Sequence, residues 1–230
     1  MSDHIVRSFD EELGQITAEV ARMGGLTEAQ IGEALDCVLR RDVKLAEQVT
    51  ARDARLDAME ADIEKKAIRV IALRQPMAND LRHAVAAMKI ASNLERCGDL
   101  AKNIAKRSLV LAGSEAATPL SRSIDRLGRL VAARLKDVLD AYTASDVERA
   151  VAVWKRDEEI DSHYDSLFRE LLTYMMGDPK MITPGAHLLF IAKNLERIGD
   201  HATNIAEIIH YELTGTEIGS ARPKMDTITP

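Results

Sequence analysis

Aromatic side chains are scarce in this chain of 230 residues. Phe, Tyr and Trp together make up 3% of the sequence, and they are scattered along it. Proteins that bind single-stranded nucleic acid stack the bases on aromatic side chains, and binding to a duplex needs a positively charged surface. The net charge here is −6, so we expect no nucleic-acid partner.

Glycine and proline are also few, with 12 and 6 residues. A protein built of strands must turn every few residues and is enriched in aromatic and β-branched side chains. This sequence has instead long unbroken stretches rich in Ala, Leu, Glu and Arg, which favour helices. We therefore predict an all-α protein.

Long apolar runs are absent as well. No stretch approaches the roughly 20 apolar residues that span a bilayer, and the polar start, Met1-Ser2-Asp3-His4, is not followed by the apolar core of a signal peptide. We therefore expect a cytoplasmic protein. The two cysteines, Cys37 and Cys97, lie far apart among helical patterns, which predicts reduced, buried thiols.

Sparse turn signals divide the chain into six predicted helices, at residues 4–40, 43–74, 77–111, 119–142, 146–176 and 184–212. Asp42 is predicted to cap the second helix, the stretch at 144–148 (Ala-Ser-Asp-Val-Glu) is predicted to form a capping box at the start of the fifth, and Pro76 precedes the third. Gly24 and Gly25 interrupt the first. Because a glycine pair costs up to about 2 kcal/mol inside a helix, the pattern leaves open whether this helix is continuous.

An internal repeat arranges these helices as two sets of three. The segment Asn93-Leu94-Glu95-Arg96-Cys97-Gly98-Asp99 returns 101 residues later as Asn194-Leu195-Glu196-Arg197-Ile198-Gly199-Asp200. Asn103-Ile104-Ala105 returns as Asn204-Ile205-Ala206, and upstream Arg52-Asp53 returns as Arg156-Asp157. We therefore predict two homologous three-helix bundles in tandem, at 1–113 and 114–215, followed by a polar tail at 216–230.

Carboxylates lie in or beside the apolar seam of each predicted bundle. Apolar residues recur at intervals of four and three in the second helix, and Asp53 occupies one of these seam positions, as Asp157 does in the fifth helix. Asp57 and Asp161 follow one turn later at the margin of the seam. An unpaired buried carboxylate costs several kcal/mol, so these acids need cations.

Each bundle thus holds a cluster of four carboxylates and one amide. We name them the first acidic cluster (Asp53, Asp57, Glu95, Asp99 and Asn103) and the second acidic cluster (Asp157, Asp161, Glu196, Asp200 and Asn204). Two sources of cations are open: metal ions, or ion pairs with Arg52, Arg96, Arg156 and Arg197. Oxygen ligands alone would favour iron, manganese, magnesium or calcium over structural zinc.

Gly98 and Gly199 stand in mid-helix directly before the last acid of each motif. Glycine costs roughly 0.5–1 kcal/mol relative to alanine there, so the missing side chain must serve a purpose. Either a neighbouring helix packs closely against it, or a ligand approaches the backbone.

The paired NLERxGDxxxNIA segments, the upstream Arg-Asp segments and the tandem organisation resemble the PhoU family of phosphate-regulon regulators. The resemblance extends from Ile5 to Leu213, and it favours a continuous first helix at Gly24 and Gly25. It implies that both acidic clusters bind metal ions, with iron, manganese or magnesium expected. Lys106, where the second repeat has Glu207, leaves the first cluster poorer in acidic ligands.

The resemblance further implies a function in phosphate regulation. The protein would be a negative regulator of the phosphate-starvation response and of phosphate uptake. It would act without catalysis as a homodimeric cytoplasmic adaptor between a phosphate-specific ABC transporter and a sensor histidine kinase, touching the membrane only through these partners.

One alternative is a carboxylate-bridged metalloenzyme, which would need an open coordination position at the same acids. The sequence offers no Ser-His-Asp or Cys-His set and no glycine-rich phosphate loop in its support. A second alternative is an inert helical tether in which the acids form only ion pairs. The sequence leaves the metal, its stoichiometry and the partner-binding surface open.

Overall fold

The computed structural model describes residues 2–113 and 120–219, with side chains from residue 11 onward. Over these residues the chain is helical and contains no strand, which confirms the predicted all-α fold. The helices are α1 (Ser2–Arg40), α2 (Val43–Arg74), α3 (Asn79–Leu111), α4 (Ser121–Ala144), α5 (Val147–Lys155), α6 (Asp157–Gly177) and α7 (Ile182–Thr214), with a short 3-10 turn at Pro179–Met181. The predicted linker at 114–119 and most of the predicted tail, 220–230, lie outside the described residues.

The helices form two homologous bundles that share one core. α1, α2 and α3 pack against one another, and α4 to α7 form the second group. The groups meet where α3 lies along α7 and where α1 contacts α4, and their buried apolar side chains form one continuous cluster. Cys37 and Cys97 are buried and free in this core, as predicted.

α1 runs without a break through Gly24 and Gly25. The face that includes Ile16, Val20 and Met23 is fully buried along this helix. Tertiary packing of such an apolar face contributes more to helix stability than intrinsic propensity does, so it outweighs the cost of the glycine pair. The continuous first helix that the resemblance favoured is therefore present.

The predicted fifth helix at 146–176 is wrong in one respect, because the chain breaks it at Arg156 into α5 and α6. The buried guanidinium of Arg134 on α4 donates a hydrogen bond of 3.2 Å to the carbonyl of Val153. The backbone N–H of Arg156 reaches the same carbonyl at 3.1 Å, which tightens the last turn of α5. A side chain from another helix thus enters the backbone ladder and interrupts it.

The predicted cap at Asp42 is confirmed, and within the predicted capping box at 144–148 the residue that caps the helix is Asp146. The Asp42 carboxylate accepts a hydrogen bond of 3.0 Å from the backbone N–H of Leu45, and Asp146 accepts one of 2.9 Å from that of Arg149. An N-cap of this kind satisfies one of the free N–H groups of the first turn. The bundles therefore start their middle helices in the same way.

A buried polar contact fixes the end of α7 to the first bundle. The Glu212 side chain is 7% exposed, and its Oε1 lies 2.5 Å from Nδ1 of His83 on α3. The other ring nitrogen of His83 lies 2.8 Å from the hydroxyl of Thr17 on α1. Three helices from both bundles therefore meet at His83.

Candidate functional site

The seam aspartates are buried as the periodicity predicted. Asp53 on α2 is 6% exposed, and Asp157 at the start of α6 is 5% exposed. Leu56 and Ile160, one turn further along each helix, are buried beside them and hold the register of the seam. Both carboxylates therefore need partners inside the protein.

The partner of Asp53 is a lysine that the seam pattern did not predict. Nζ of Lys102 on α3 donates hydrogen bonds to the carboxylates of Asp53 and Asp99, the latter at 2.5 Å. The lysine side chain is 22% exposed. Its hydrogen bonds with Asp53 and Asp99 raise its pKa above the ordinary lysine value, so the ammonium form is held between the two acids.

The other members of the first acidic cluster lie further from the core. Burial raises the pKa of Glu95, and the nearby charges of Asp99, Glu60 and Asp57 raise it too, against the opposing charge of Arg96. The acids of α2 and α3 therefore lie close enough for the charges of Asp57 and Glu60 on α2 to act on Glu95 on α3. Asp57 and Asn103 are exposed on its outer side.

The second acidic cluster lacks this lysine. Thr203 takes the position of Lys102 in the repeat, and its hydroxyl donates a hydrogen bond of 2.7 Å to the carboxylate of Asp157. This hydrogen bond comes from a neutral group, whereas the one that Lys102 donates to Asp53 comes from a charged group. At this repeat position the donor to the seam aspartate is therefore an ammonium in the first bundle and a hydroxyl in the second.

Glu196 is the member of the second acidic cluster with an unsatisfied atom. Its Oε1 accepts a hydrogen bond of 2.7 Å from Lys193, whereas its Oε2 is buried without a hydrogen-bond partner. Burial raises the pKa of Glu196, and the charge of Asp200 raises it further, although the hydrogen bond from Lys193 opposes this. Asp161 is half-buried, and Asn204 lines a groove between α3 and α7.

Two of the arginines that could have neutralised the clusters pair with other acids. Arg52 binds Glu33 on α1 with hydrogen bonds of 2.8 and 2.9 Å. Its repeat counterpart Arg156 binds Asp137 on α4 at 2.8 Å. These repeated arginines therefore tie each bundle's middle helix to its first helix. Arg96 does lie near the first cluster, but it is 63% exposed and its Nε is 3.4 Å from Glu95.

Both mid-helix glycines allow close helix packing. A Cβ added to Gly98 would overlap Cδ1 of Leu56, and one added to Gly199 would lie 2.7 Å from Cδ1 of Ile160. Leu56 and Ile160 belong to the middle helices of the two bundles. Of the two explanations for these glycines, close packing of a neighbouring helix is the one that the contacts support.

Neither acidic cluster is placed to hold a metal ion as its side chains stand. No group of three or more His, Cys, Asp or Glu side chains in residues 11–113 and 120–219 is placed to hold one, so any binding requires side-chain rotation. In the first cluster an ammonium group already lies between Asp53 and Asp99, and those residues do not fit a further cation as placed. In the second cluster Oε2 of Glu196 is buried without a hydrogen-bond partner, while the ammonium of Lys193 binds Oε1 of the same carboxylate at 2.7 Å.

Lys102 could have been found in the sequence. The repeat aligns it with Thr203, inside the short stretch between Asp99 and Asn103 where the two copies differ. A lysine three residues after an acid on a helix lies on the same face, which is the geometry of the Asp99 pair. The identical positions of a repeat reveal the fold, and the differing ones reveal how the two sites diverge.

Comparison with known proteins places this architecture in a family. The PhoU domain matches the chain twice, at residues 20–108 and 124–209, which are the two bundles. The chain belongs to the PhoU family. It is 62% identical, over 229 residues and the full length of both chains, to the phosphate-specific transport system accessory protein PhoU homolog of Caulobacter vibrioides.

Solved structures of the PhoU family share this fold. The crystal structure of PhoU from Pseudomonas aeruginosa matches with a TM-score of 0.87 at 36% identity, covering 90% of this chain and all of that one. The phosphate transport system regulatory protein PhoU from Streptococcus pneumoniae matches with a TM-score of 0.85 at 30% identity, covering 91% of this chain and 99% of that one. None of the helices in the part of this PhoU-family chain that the structure describes is long and apolar enough to cross a membrane.

Proposed function

We propose that this chain is a negative regulator of the phosphate-starvation response and of phosphate uptake. In this proposal it is a cytoplasmic adaptor between a phosphate-specific ABC transporter and a sensor histidine kinase. The observation that carries the proposal is the end-to-end match to a relative named as an accessory protein of phosphate-specific transport. A role in regulating phosphate transport follows from family membership, whereas the kinase link and the direction of regulation are the proposed steps.

The adaptor works in this proposal by binding proteins and not by catalysis. The relatives are named as accessory or regulatory proteins. A rigid pair of bundles with one shared core offers long helical faces to partners, and function then resides in those faces. Apolar side chains exposed on α6 and just after it, among them Phe168, Leu172, Met176 and Ile182, provide surface for such contacts.

The proposal includes metal binding by carboxylates. Iron, manganese or magnesium would be held by oxygen ligands, and in the second acidic cluster one such oxygen, Oε2 of Glu196, is buried without a hydrogen-bond partner. Asp157, Asp161, Glu196 and Asp200 would supply carboxylates and Asn204 an amide oxygen. A bound cation would neutralise carboxylates between α6 and α7 and so stabilise their packing.

Deleting the gene and measuring a phosphatase reporter tests the regulatory proposal. In high phosphate, the deletion strain should express the reporter that the parent strain represses. Reintroducing the wild-type gene should restore repression, whereas a kinase deletion in the same background should remove the expression. Unchanged repression in the deletion strain would overturn the proposal.

We also propose that the protein is a homodimer, as the family resemblance implies. Light scattering coupled to size-exclusion chromatography should give twice the mass of 25.4 kDa that the chain has. Replacing Phe168 and Leu172 by serine tests whether the exposed α6 surface forms the contact, because a dimer that uses it should dissociate. A monomeric mass for the wild-type protein would reject the dimer.

A further inference from the structure

We propose that one exposed face of α2, with the turn that follows it, is a contact surface for an anionic lipid bilayer. We name this surface the α2 stripe, and its members are Lys65, Ile68, Arg69, Leu73 and Met77. The family resemblance implies contact with the membrane only through protein partners, so the inference goes beyond the proposed function. It depends neither on the role in phosphate regulation nor on metal binding.

The apolar members of the α2 stripe are strongly exposed. Ile68 is 51% exposed, Leu73 68% and Met77 82%. Positions 65, 68, 69, 72 and 73 recur at intervals of three and four, which places them on one face of α2. Met77 continues this face into the turn between α2 and α3. Apolar side chains that are exposed together, and not scattered singly, mark a contact surface.

Two cations stand among these apolar side chains. Lys65 and Arg69 are exposed on either side of Ile68. The neighbouring Lys66 and Arg74 instead pair with acids on α1. The α2 stripe therefore combines outward-facing cations with exposed apolar groups, which is the pattern of helices that lie on anionic membranes.

The internal repeat shows that this positive charge is local. Residues 64–82 contain five cationic and two acidic side chains, a net charge of +3, whereas their repeat counterparts, residues 168–183, contain two of each. Because the whole chain has a net charge of −6, the residues outside 64–82 carry −9. This separation of charge turns the α2 stripe toward a negative surface and the rest of the molecule away from it.

A bilayer fits the α2 stripe better than a folded protein partner does. A stable protein interface uses about 20–30 residues on each side, and the stripe consists of five side chains. Adsorption to lipid needs fewer groups, because apolar side chains enter the boundary between headgroups and acyl chains while lysine and arginine are attracted to the anionic headgroups. The contact needs no pocket on either side.

Co-sedimentation of the full-length protein with lipid vesicles tests the inference. Wild-type protein should pellet with vesicles of equal parts phosphatidylglycerol and phosphatidylcholine but not with phosphatidylcholine alone, and added salt should release it. K65Q/R69Q should weaken the affinity for the mixed vesicles by about 10- to 30-fold, because two cations near the anionic surface are lost. R169Q/K180Q removes two cations from the counterpart segment and is the matched control, which should bind as wild type does.

A tryptophan in the turn reports whether the apolar members enter the bilayer. The emission of M77W should move to shorter wavelength with the mixed vesicles, because the indole leaves water. M176W is the control, since Met176 is 87% exposed in the counterpart segment, and its emission should not change. The native Trp154 is 5% exposed and contributes the same background to both proteins.

Three results would overturn the inference. One is wild-type protein that stays in solution with the mixed vesicles. Another is an equal loss of binding by K65Q/R69Q and R169Q/K180Q, because the attachment would then not be specific to α2. The third is an M77W emission that does not change with vesicles that pellet the protein; if the isolated cytoplasmic domain of the sensor kinase shifted that emission, a protein would cover the stripe instead. None of these results alters the outcome of the reporter test of phosphate regulation.

Discussion

Leu139 of the second bundle packs directly over Gly24 of the first, with its Cδ2 2.6 Å from where a Cβ on that glycine would lie. The reciprocal contact is made by the repeat counterparts, since Leu35 packs over Gly128 in the same manner. Each pair of equivalent residues lies 104 positions apart in the sequence. α1 and α4 therefore pack through equivalent residues on both sides, as two subunits do at a twofold dimer interface, although both helices belong to one chain.

Replacing Gly24 by alanine should cost stability relative to the same change at Gly25. Alanine stabilises a helix by roughly 0.5–1 kcal/mol relative to glycine. Gly25 is exposed, and no atom lies near the position of the Cβ that alanine would add, so this stabilisation is unopposed there. At Gly24 the added methyl group meets Leu139, and overpacking costs typically about 1–3 kcal/mol. Urea denaturation should therefore rank the stabilities as G25A above wild type and G24A below G25A.

Equal free energies of unfolding for G24A and G25A would show that Leu139 moves aside freely. The pair would then carry no packing constraint, and the glycine at position 24 would need another explanation. Because both changes lie in one helix and have the same intrinsic propensity effect, their difference reports the tertiary contact alone.

Much of the fold follows from local patterns. The seam that includes Val49, Asp53 and Leu56 predicts the buried face of α2, and the repeat predicts that the same face returns in the second half. The break at Arg156 does not follow from the local sequence, because its cause is Arg134 on another helix. In the first bundle Gln30 is the repeat counterpart of Arg134. Its side-chain amide donates a hydrogen bond to the backbone carbonyl of Gly98 on α3 and not to the middle helix, and α2 is uninterrupted.

The candidate site was predicted in its acids but not in its cation. Burial of Asp53 and Asp157 follows from helical periodicity alone, and the structure confirms it. Lys102 lies beside the seam, where a lysine is usually solvated, and only the three-dimensional approach of α2 brings Asp53 to it. Whether the acids bind metal stays a prediction.

Replacing Lys102 by methionine should destabilise the protein strongly, and adding D53N should restore much of the loss. K102M leaves the Asp53 carboxylate buried without its cation, which costs about 3–5 kcal/mol in comparable buried pairs. The D53N change removes the charge that needs compensation. The double-mutant cycle, measured by urea denaturation in chelator, should give a coupling free energy on the order of 1–3 kcal/mol.

K106M is the control for this cycle, because Lys106 is exposed on the same helix. It should change the free energy of unfolding by less than about 0.5 kcal/mol. If the effects of K102M and D53N on the free energy of unfolding were additive, the ammonium would not stabilise the protein through Asp53. Lys102 would then not act as a bridge between Asp53 and Asp99.

Replacing His83 by alanine should weaken the junction between the bundles. The change leaves the buried Glu212 carboxylate without the ring nitrogen at 2.5 Å, and an unsatisfied buried acceptor costs about 1–3 kcal/mol. H163A is the control, since Nδ1 of His163 contacts the Glu159 carbonyl of its own helix. Thermal unfolding should separate the two variants, and equal melting temperatures would contradict a joining role for His83.

Replacing Glu12 by glutamine should lower the free energy of unfolding at neutral pH but not in acid. The hydrogen bond from Arg74 lowers the pKa of Glu12 below its ordinary value of 4.5, so the ionised form stabilises the folded state. This contribution is present above that value and is lost as the pH falls through the lowered folded-state pKa. Because the pair is partly exposed, E12Q should cost only about 0.2–1 kcal/mol at pH 7. The control is E11Q at the exposed neighbouring residue, which should have the same urea midpoint as the wild-type protein. If E12Q lowered the free energy of unfolding in acid as much as at pH 7, the ion pair with Arg74 would not be the cause.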